Sequence, residues 1–265
     1  MDAALLDELT GVAHQLADAA ARETLPLFRT ALRADSKDAL GFDPVTEADR
    51  ASERAMRAVL ARLRPEDGIL GEEEGAREGT SGLTWTLDPI DGTRAFLAGA
   101  PSWGTLIACG PSDAAPFIGI VDQPYIGERF VGTPDGAWLK RGETRAIRTR
   151  EVQGLGEAIL FTTFPEVGKA AERERFRAVA DRVRLTRYGM DCYAYALVAL
   201  GQCDLVIEAG LQPYDIRAPM ALVEAAGGIV TDWRGGPAEM GGRVIAAGCA
   251  TVHAAALELM QGIED

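Results

Sequence analysis

The feature that most restricts this chain is the run Trp85-Thr86-Leu87-Asp88-Pro89-Ile90-Asp91-Gly92-Thr93. An apolar strand leads there into two carboxylates three residues apart and then a Gly-Thr turn. Carboxylates at the end of a buried strand pack badly, yet they suit hard cations such as Mg2+, which take oxygen ligands. A Gly-Thr turn beside such ions offers backbone N–H groups and a hydroxyl to a phosphate oxygen. The segment reads as a metal-dependent phosphate site.

Charge bears on that reading. The 265 residues include 27 Lys and Arg against 40 Asp and Glu, a formal net charge of −13. This balance argues against a nucleic-acid partner, which requires a clustered basic face. It also repels an anionic substrate, so a phosphate site here needs cations to invert the local field. The length allows one large domain or two small ones sharing a core. Cys109, Cys192, Cys203 and Cys249 show no C-x-x-C spacing and read as buried free thiols in a reducing, cytoplasmic compartment. The two histidines, His14 and His253, are too few for a His-rich zinc site and read as packing or helix-surface residues. The acidic N-terminus lacks the basic segment of a signal peptide, and no apolar run approaches the ~20 residues of a membrane span.

Leu5, Leu9, Val12, Leu16 and Ala20 recur every three to four residues and predict an amphipathic helix to about Phe28, kinked at Pro26. Residues 33–43 read as a loop, and a second helix follows Thr46 as far as Pro65. Short strands are expected at 68–71 and 85–87. Apolar runs at 106–109, 117–121, 129–131 and 137–139 alternate with turn residues, which predicts an antiparallel meander. Beyond it, strands at 159–161, 205–208, 229–231 and 244–247 alternate with helices at 170–182, 191–200, 215–226 and from about Thr251. Residues 1–148 therefore read as an α+β part carrying most of the acidic candidates, and 149–265 as an α/β part carrying Asp215.

Acidic residues gather at element boundaries: Asp49 opening the second helix, Glu72 and Glu73 after one strand, Asp88 and Asp91 after another, and Asp215 opening a helix. Such positions let rigid elements fix ligands while leaving room for substrate. Most have an ordinary alternative. Thr46-x-x-Asp49 fits a capping box, Glu72-Glu73-Glu74 a solvated charge run, and Asp215 an N-cap. Asp88 and Asp91 have no basic neighbour in sequence that would serve as a partner. One metal site explains all of these acids together.

The blocks Asp43-Pro44-Val45-Thr46-Glu47-Ala48-Asp49, Gly71-Glu72-Glu73, Asp88-Pro89-Ile90-Asp91-Gly92-Thr93 and Tyr214-Asp215-Ile216-x-Ala218, then Glu224-Ala225-Ala226-Gly227-Gly228, span nearly the whole chain. In kind and order they resemble those of the inositol-monophosphatase family of Mg2+-dependent, lithium-sensitive phosphatases. The resemblance implies a layered αβαβα sandwich, usually a homodimer. It implies that Glu72, Asp88 and the carbonyl of Ile90 hold one Mg2+, and that Asp88, Asp91 and Asp215 hold a second, with Asp88 bridging. A weaker third ion would lie near Glu72 and Asp49. Gly92 and Thr93 would cradle the phosphate through backbone N–H groups beside Asp91. Thr93, hydrogen-bonded to Asp49 and acting with Glu72, would help activate a water that attacks phosphorus in line, with no covalent phosphoenzyme.

The alcohol part of the ester falls to the second half. Arg187-Tyr188-Gly189-Met190-Asp191-Cys192-Tyr193-Ala194-Tyr195 departs from the inositol enzymes, which carry a small neutral residue in place of Asp191. Glu208 stands seven residues before Asp215, where the family places a substrate-contacting acid. Two carboxylates facing the leaving group suit an ammonium or imidazolium. These segments, with the blocks from Asp91 to Gly104 and from Leu211 to Asp215, are similar to the histidinol-phosphate phosphatase branch. That implies hydrolysis of L-histidinol phosphate, a small-molecule ester, in histidine biosynthesis. Arg187 is then a substrate contact or a local carboxylate partner, and Asp191 a substrate contact or the N-cap of its helix. Inositol monophosphatase is the main rival. A haloacid-dehalogenase-type phosphatase needs Asp-x-Asp where this chain has Asp-x-x-Asp, and a role in RNA or transcription complexes fits the acidic balance poorly.

Overall fold

Along the strand Gly104–Gly110, Leu106 and Ala108 enter one apolar core while Ile107 and Cys109 enter another, as the two-residue period of a strand requires. A sheet built around it must therefore be covered on both faces. The computed structural model, which describes residues 2–30, 35–36 and 44–262, shows how. In chain order the first part comprises α1 (Ala3–Thr24), β1 (Asp35–Ser36), β2 (Pro44–Val45), α2 (Glu47–Leu63), β3 (Gly68–Gly71), β4 (Gly75–Arg77), β5 (Thr84–Asp91), α3 (Thr93–Ala98), β6 (Gly104–Gly110), β7 (Ile118–Gln123), β8 (Glu128–Thr133), β9 (Gly136–Arg141) and β10 (Glu143–Ile147). The second comprises β11 (Ile159–Thr162), α4 (Ala170–Ala180), β12 (Leu185–Tyr188), α5 (Tyr193–Ala199), β13 (Leu205–Leu211), α6 (Pro213–Ala225), β14 (Ile229–Asp232), β15 (Gly242–Ala247) and α7 (Ala250–Met260).

Two mixed sheets result. The larger has the order β10-β9-β8-β7-β6-β5-β3-β4 and the smaller β12-β11-β13-β15-β14. α1 and α2 cover one face of the larger sheet around Leu9, Leu16, Met56, Trp85 and Ile107. α5 and α6 fill the space between the sheets around Leu106, Phe130, Val198, Ile216, Leu222 and Val244. α4 and α7 pack on the outer face of the smaller sheet around Phe176, Ile207, Ile245 and Val252. The layers are αβαβα. Full burial of each such Leu, Ile, Val or Phe contributes roughly 1.5–3 kcal/mol.

The structure corrects several boundaries. α1 stops at Thr24 instead of reaching Phe28, because Pro26 has no N–H to continue the ladder; a turn follows in which the Phe28 N–H donates to the Thr24 carbonyl at 3.0 Å. β5 extends to Asp91, so Asp88 and Asp91 lie in the strand instead of after it. β4, α3, β10 and β12 are additional elements. α6 packs on the larger sheet as well as the smaller, so the helix carrying Asp215 is anchored to the first part of the chain. The loop expected over 33–43 lies, apart from Asp35–Ser36, outside the described residues. All four cysteines are free and buried. No helix among the described residues is long and apolar enough to cross a membrane.

Candidate metal centre

Trp85 and Leu87 point from β5 into the core beneath α1 and α2, so alternation sends Asp88 to the opposite face, where α6 packs. Three residues further on, Asp91 would return to the first face of a regular strand. It does not, because Asp88 pairs with Leu106 and Asp91 with Gly104, so three steps on β5 match two on β6. The extra residue forms a bulge that resets the alternation. Pro89, which has no N–H for the ladder, lies within it. As a result one carboxylate oxygen from each of Asp88, Asp91 and Asp215 falls within 4.8 Å of the others.

Backbone N–H groups orient these acids. Ile90 donates to Asp88 Oδ1 at 3.0 Å, Cys192 to Asp91 Oδ2 at 2.6 Å, and Gln212 to Asp215 Oδ2 at 2.7 Å. The last bond belongs to a capping box at the start of α6. Asp49 is likewise in the capping box of α2, accepting the Thr46 N–H on Oδ2 at 2.8 Å, while its Oδ1 accepts from the Thr93 hydroxyl at 3.4 Å. Capping and site geometry thus coexist in both residues, and in Asp49 each takes a different oxygen. The Thr93 hydroxyl also lies 3.1 Å from the Ile90 carbonyl. Glu72 sits at the end of β3 beside Asp88, to which it is hydrogen-bonded, and its N–H donates to the Leu87 carbonyl at 3.2 Å.

Electrostatics give the cluster its character. Burial, then the charges of Glu72, Asp91 and Asp215, pushes the Asp88 carboxyl well above the usual range. Burial, then Asp191 and Asp215, does the same to Asp91. Burial also raises Asp49 to about 6 against the hydrogen bonds from Thr46. Converging carboxylates, Asp88 buried and Asp91 and Asp215 half-buried, form an all-oxygen donor set, which fits a hard divalent cation such as Mg2+.

Glu72, Asp88, Asp91 and Asp215 line a cleft of about 330 Å3 together with Gly92, Thr93, Arg94, Asp191, Tyr195 and Glu208. Gly92 has φ +85°, and a Cβ there would lie 2.8 Å from Asp191 Cγ. Asp191 itself has φ +46°. It is not the N-cap of α5, which starts at Tyr193 after Cys192. Its Oδ2 accepts from the Ser102 hydroxyl at 2.8 Å, and burial raises its pKa against the pull of Ser102 and Arg94. Glu208 accepts from the Thr163 N–H at 2.6 Å, the Thr163 hydroxyl at 2.9 Å and the Thr162 hydroxyl at 3.2 Å. Burial still pushes it up to about 7.

Arg187 is brought elsewhere. It is exposed on the edge strand β12 and does not line the cleft. Among the described residues, the cation lining the cleft is Arg94, whose guanidinium lies 5.0 Å from the ring centre of Phe164. Sequence reasoning gave no role to Arg94, Ser102, Thr162, Thr163, Phe164 or Tyr195. Arg94, Ser102 and Tyr195 stood inside recognised blocks, the signal that marked their neighbourhood. A larger groove of about 740 Å3, lined by Lys169, Glu172 and Arg243 among others, holds no comparable convergence of carboxylates among the described residues.

The sequence matches the pattern described as the inositol monophosphatase family over residues 5–264. It is 39% identical to the bifunctional phosphatase IMPL2, chloroplastic, of Arabidopsis thaliana, over 97% of this chain and 76% of that protein. It is 35% identical to a histidinol-phosphatase of Streptomyces coelicolor, over 91% of this chain and 92% of that protein. A solved inositol monophosphatase from Zymomonas mobilis is 42% identical and superposes with a TM-score of 0.86, over 99% of this chain and 100% of that one.

Proposed function

The chain belongs to the inositol monophosphatase family, and from that premise we propose that it hydrolyses L-histidinol phosphate to L-histidinol and phosphate with Mg2+ in histidine biosynthesis. The observation that carries the choice of ester is the pair of carboxylates, half-buried Asp191 and buried Glu208, that line the cleft beside the acidic cluster. Histidinol brings an ammonium and an imidazole to that pair, and each pairs with a carboxylate by a charge-assisted hydrogen bond. A neutral polyol gains less from two acids, and a bisphosphate is repelled. The histidinol-phosphatase name of the Streptomyces relative supports the same choice.

Glu72, Asp88, Asp91, Asp215 and the Ile90 carbonyl would hold two ions, and Glu72 with Asp49 a weaker third. When bound, Mg2+ supplies charge stabilisation at the phosphoryl oxygens. The N–H groups of Gly92 and Thr93 hold the phosphate. Thr93, whose hydroxyl donates to Asp49, would orient the attacking water and help remove its proton. The buried free thiols support a reducing cytoplasmic setting. The net charge of −13 supports a small-molecule partner over nucleic acid, and the family resemblance supports a homodimer.

A substrate panel tests the proposal. Purified protein with Mg2+ is given L-histidinol phosphate, inositol 1-phosphate, adenosine 3′,5′-bisphosphate and fructose 1,6-bisphosphate. The highest kcat/KM is expected for histidinol phosphate. A higher value for inositol 1-phosphate transfers the assignment to inositol monophosphatase, and RNA or polymerase binding without turnover points to a non-enzymatic role.

A further inference from the structure

Glu53 lies on α2 one turn after Asp49, with its side chain fully buried. Its hydrogen bonds grip the turn that follows β3. Its Oε2 accepts the Glu73 N–H at 2.7 Å, and its Oε1 accepts the Glu74 N–H at 3.1 Å. Arg57, one turn further along α2, donates Nε to Glu53 Oε1 at 2.7 Å and Nη2 to the Gly75 carbonyl. The fit is close: a Cβ on Gly71 would lie 2.1 Å from Glu53 Oε1. From the other side, the Glu72 N–H is held by the Leu87 carbonyl of β5.

A buried carboxylate is expensive to desolvate and persists where several donors satisfy it. Here the donors are two consecutive backbone amides of the acidic turn and one guanidinium. A solvated charge run, the ordinary reading of Glu72-Glu73-Glu74, has no need of such a clamp. Because α2 also carries Asp49, the clamp fixes the spacing between the helix bearing Asp49 and the turn bearing Glu72.

We infer that Glu53, braced by Arg57, is a positioning residue for the metal centre, holding the Glu72 turn in the orientation that points Glu72 at Asp88. This rests on Glu72 as a metal ligand and is independent of which ester is hydrolysed. Loss of a hydrogen-bonded support behind a ligand weakens metal binding by roughly 10–100-fold.

The test measures Mg2+ binding to the metal-stripped full chain by isothermal titration calorimetry, alongside thermal melting in EDTA. Glu53→Gln keeps the shape but places an amide NH2 against a backbone N–H. Its Mg2+ Kd is expected to rise roughly 10–100-fold, with kcat recovering at saturating Mg2+. A purely structural residue would lower the melting temperature in EDTA and leave Kd unchanged. Arg57→Ala should shift Kd in the same direction by less, and it carries the test if Glu53→Gln does not fold. Arg54→Ala, which breaks an exposed pair with Glu47 on the same helix, should leave Kd as in the wild type. Wild-type Mg2+ affinity in a folded Glu53 or Arg57 variant overturns the inference, and so does failure of both variants to fold, which assigns the dyad to the fold alone. Absence of Mg2+ binding by the wild type overturns the metal assignment itself, and the clamp with it.

Discussion

The backbone N–H of Cys192 donates to Asp91 Oδ2 at 2.6 Å, joining positions 101 residues apart. The residue beside Asp191 is thereby tied to an acid of the metal cluster. Asp91→Asn retains an acceptor for this bond but loses the charge. One of the two Mg2+ ions should no longer bind, and kcat should fall by more than the roughly hundredfold limit seen for indirect supports. Because burial and its neighbours already oppose the Asp91 charge, the metal-free variant should melt at a higher temperature than the wild type. Retained activity, or a lower melting temperature in EDTA, contradicts this account of the cluster.

Asp191→Asn should act on the alcohol and spare the phosphate chemistry. A lost charge-assisted hydrogen bond, about 1.5–3 kcal/mol, lowers kcat/KM for L-histidinol phosphate by roughly 10–100-fold, at about 1.4 kcal/mol per decade. Turnover of glycerol 2-phosphate, which has no cation, should change little. Equal losses on both substrates would give Asp191 a structural role. Ser102→Ala, which removes the 2.8 Å hydrogen bond to Asp191, should shift selectivity the same way by less.

Glu208 makes metal-free stability depend on pH. Its pKa is raised from 4.5 to about 7 in the folded chain. The native state therefore holds its proton more tightly than the unfolded state. This contribution is fully present below pH 4.5 and is lost as pH rises through about 7, a change on the order of 3 kcal/mol. Asp88 and Asp91 act in the same direction. The melting temperature in EDTA should fall between about pH 5 and 8, and Glu208→Gln should fall less steeply. Parallel curves for the two proteins would remove Glu208 as a cause.

Asp204 anchors the second sheet. Arg150 donates to it through Nε at 2.7 Å and Nη2 at 2.6 Å, and the Ile159 N–H donates at 2.7 Å. The carboxylate is buried, but the Arg150 side chain is 38% exposed, so hydrogen bonding outweighs Coulomb attraction. Asp204→Ala should destabilise by about 2–3 kcal/mol in urea unfolding. A loss within about 0.5 kcal/mol, typical of surface substitutions, would show that the pair is held too loosely to matter.

The acids of the centre were legible because carboxylates at the ends of apolar runs have few other uses. Their convergence was not. It depends on the bulge between Asp88 and Asp91, for which Pro89 is the one local sign. Contacts such as Ser102 to Asp191 and Thr163 to Glu208 span 89 and 45 residues, and no local period encodes them. α3 has six residues, too few to display a helical period, and β10 is mostly exposed, without an apolar alternation. Arg187 shows the converse limit. Four residues from Asp191 in sequence, it is carried outside the cleft by an edge strand, while Arg94, nearly a hundred residues earlier, lines it.

The packing of α6 on the larger sheet orders events during synthesis. The face of that sheet opposite α1 and α2 is closed by α5 and α6, whose last residue is Ala225. A growing chain therefore carries a half-covered sheet and an incomplete set of acids until most of it has left the ribosome. The same late segment then closes the core and delivers Asp215, so a nascent chain gains its second wall and its last acid in one step.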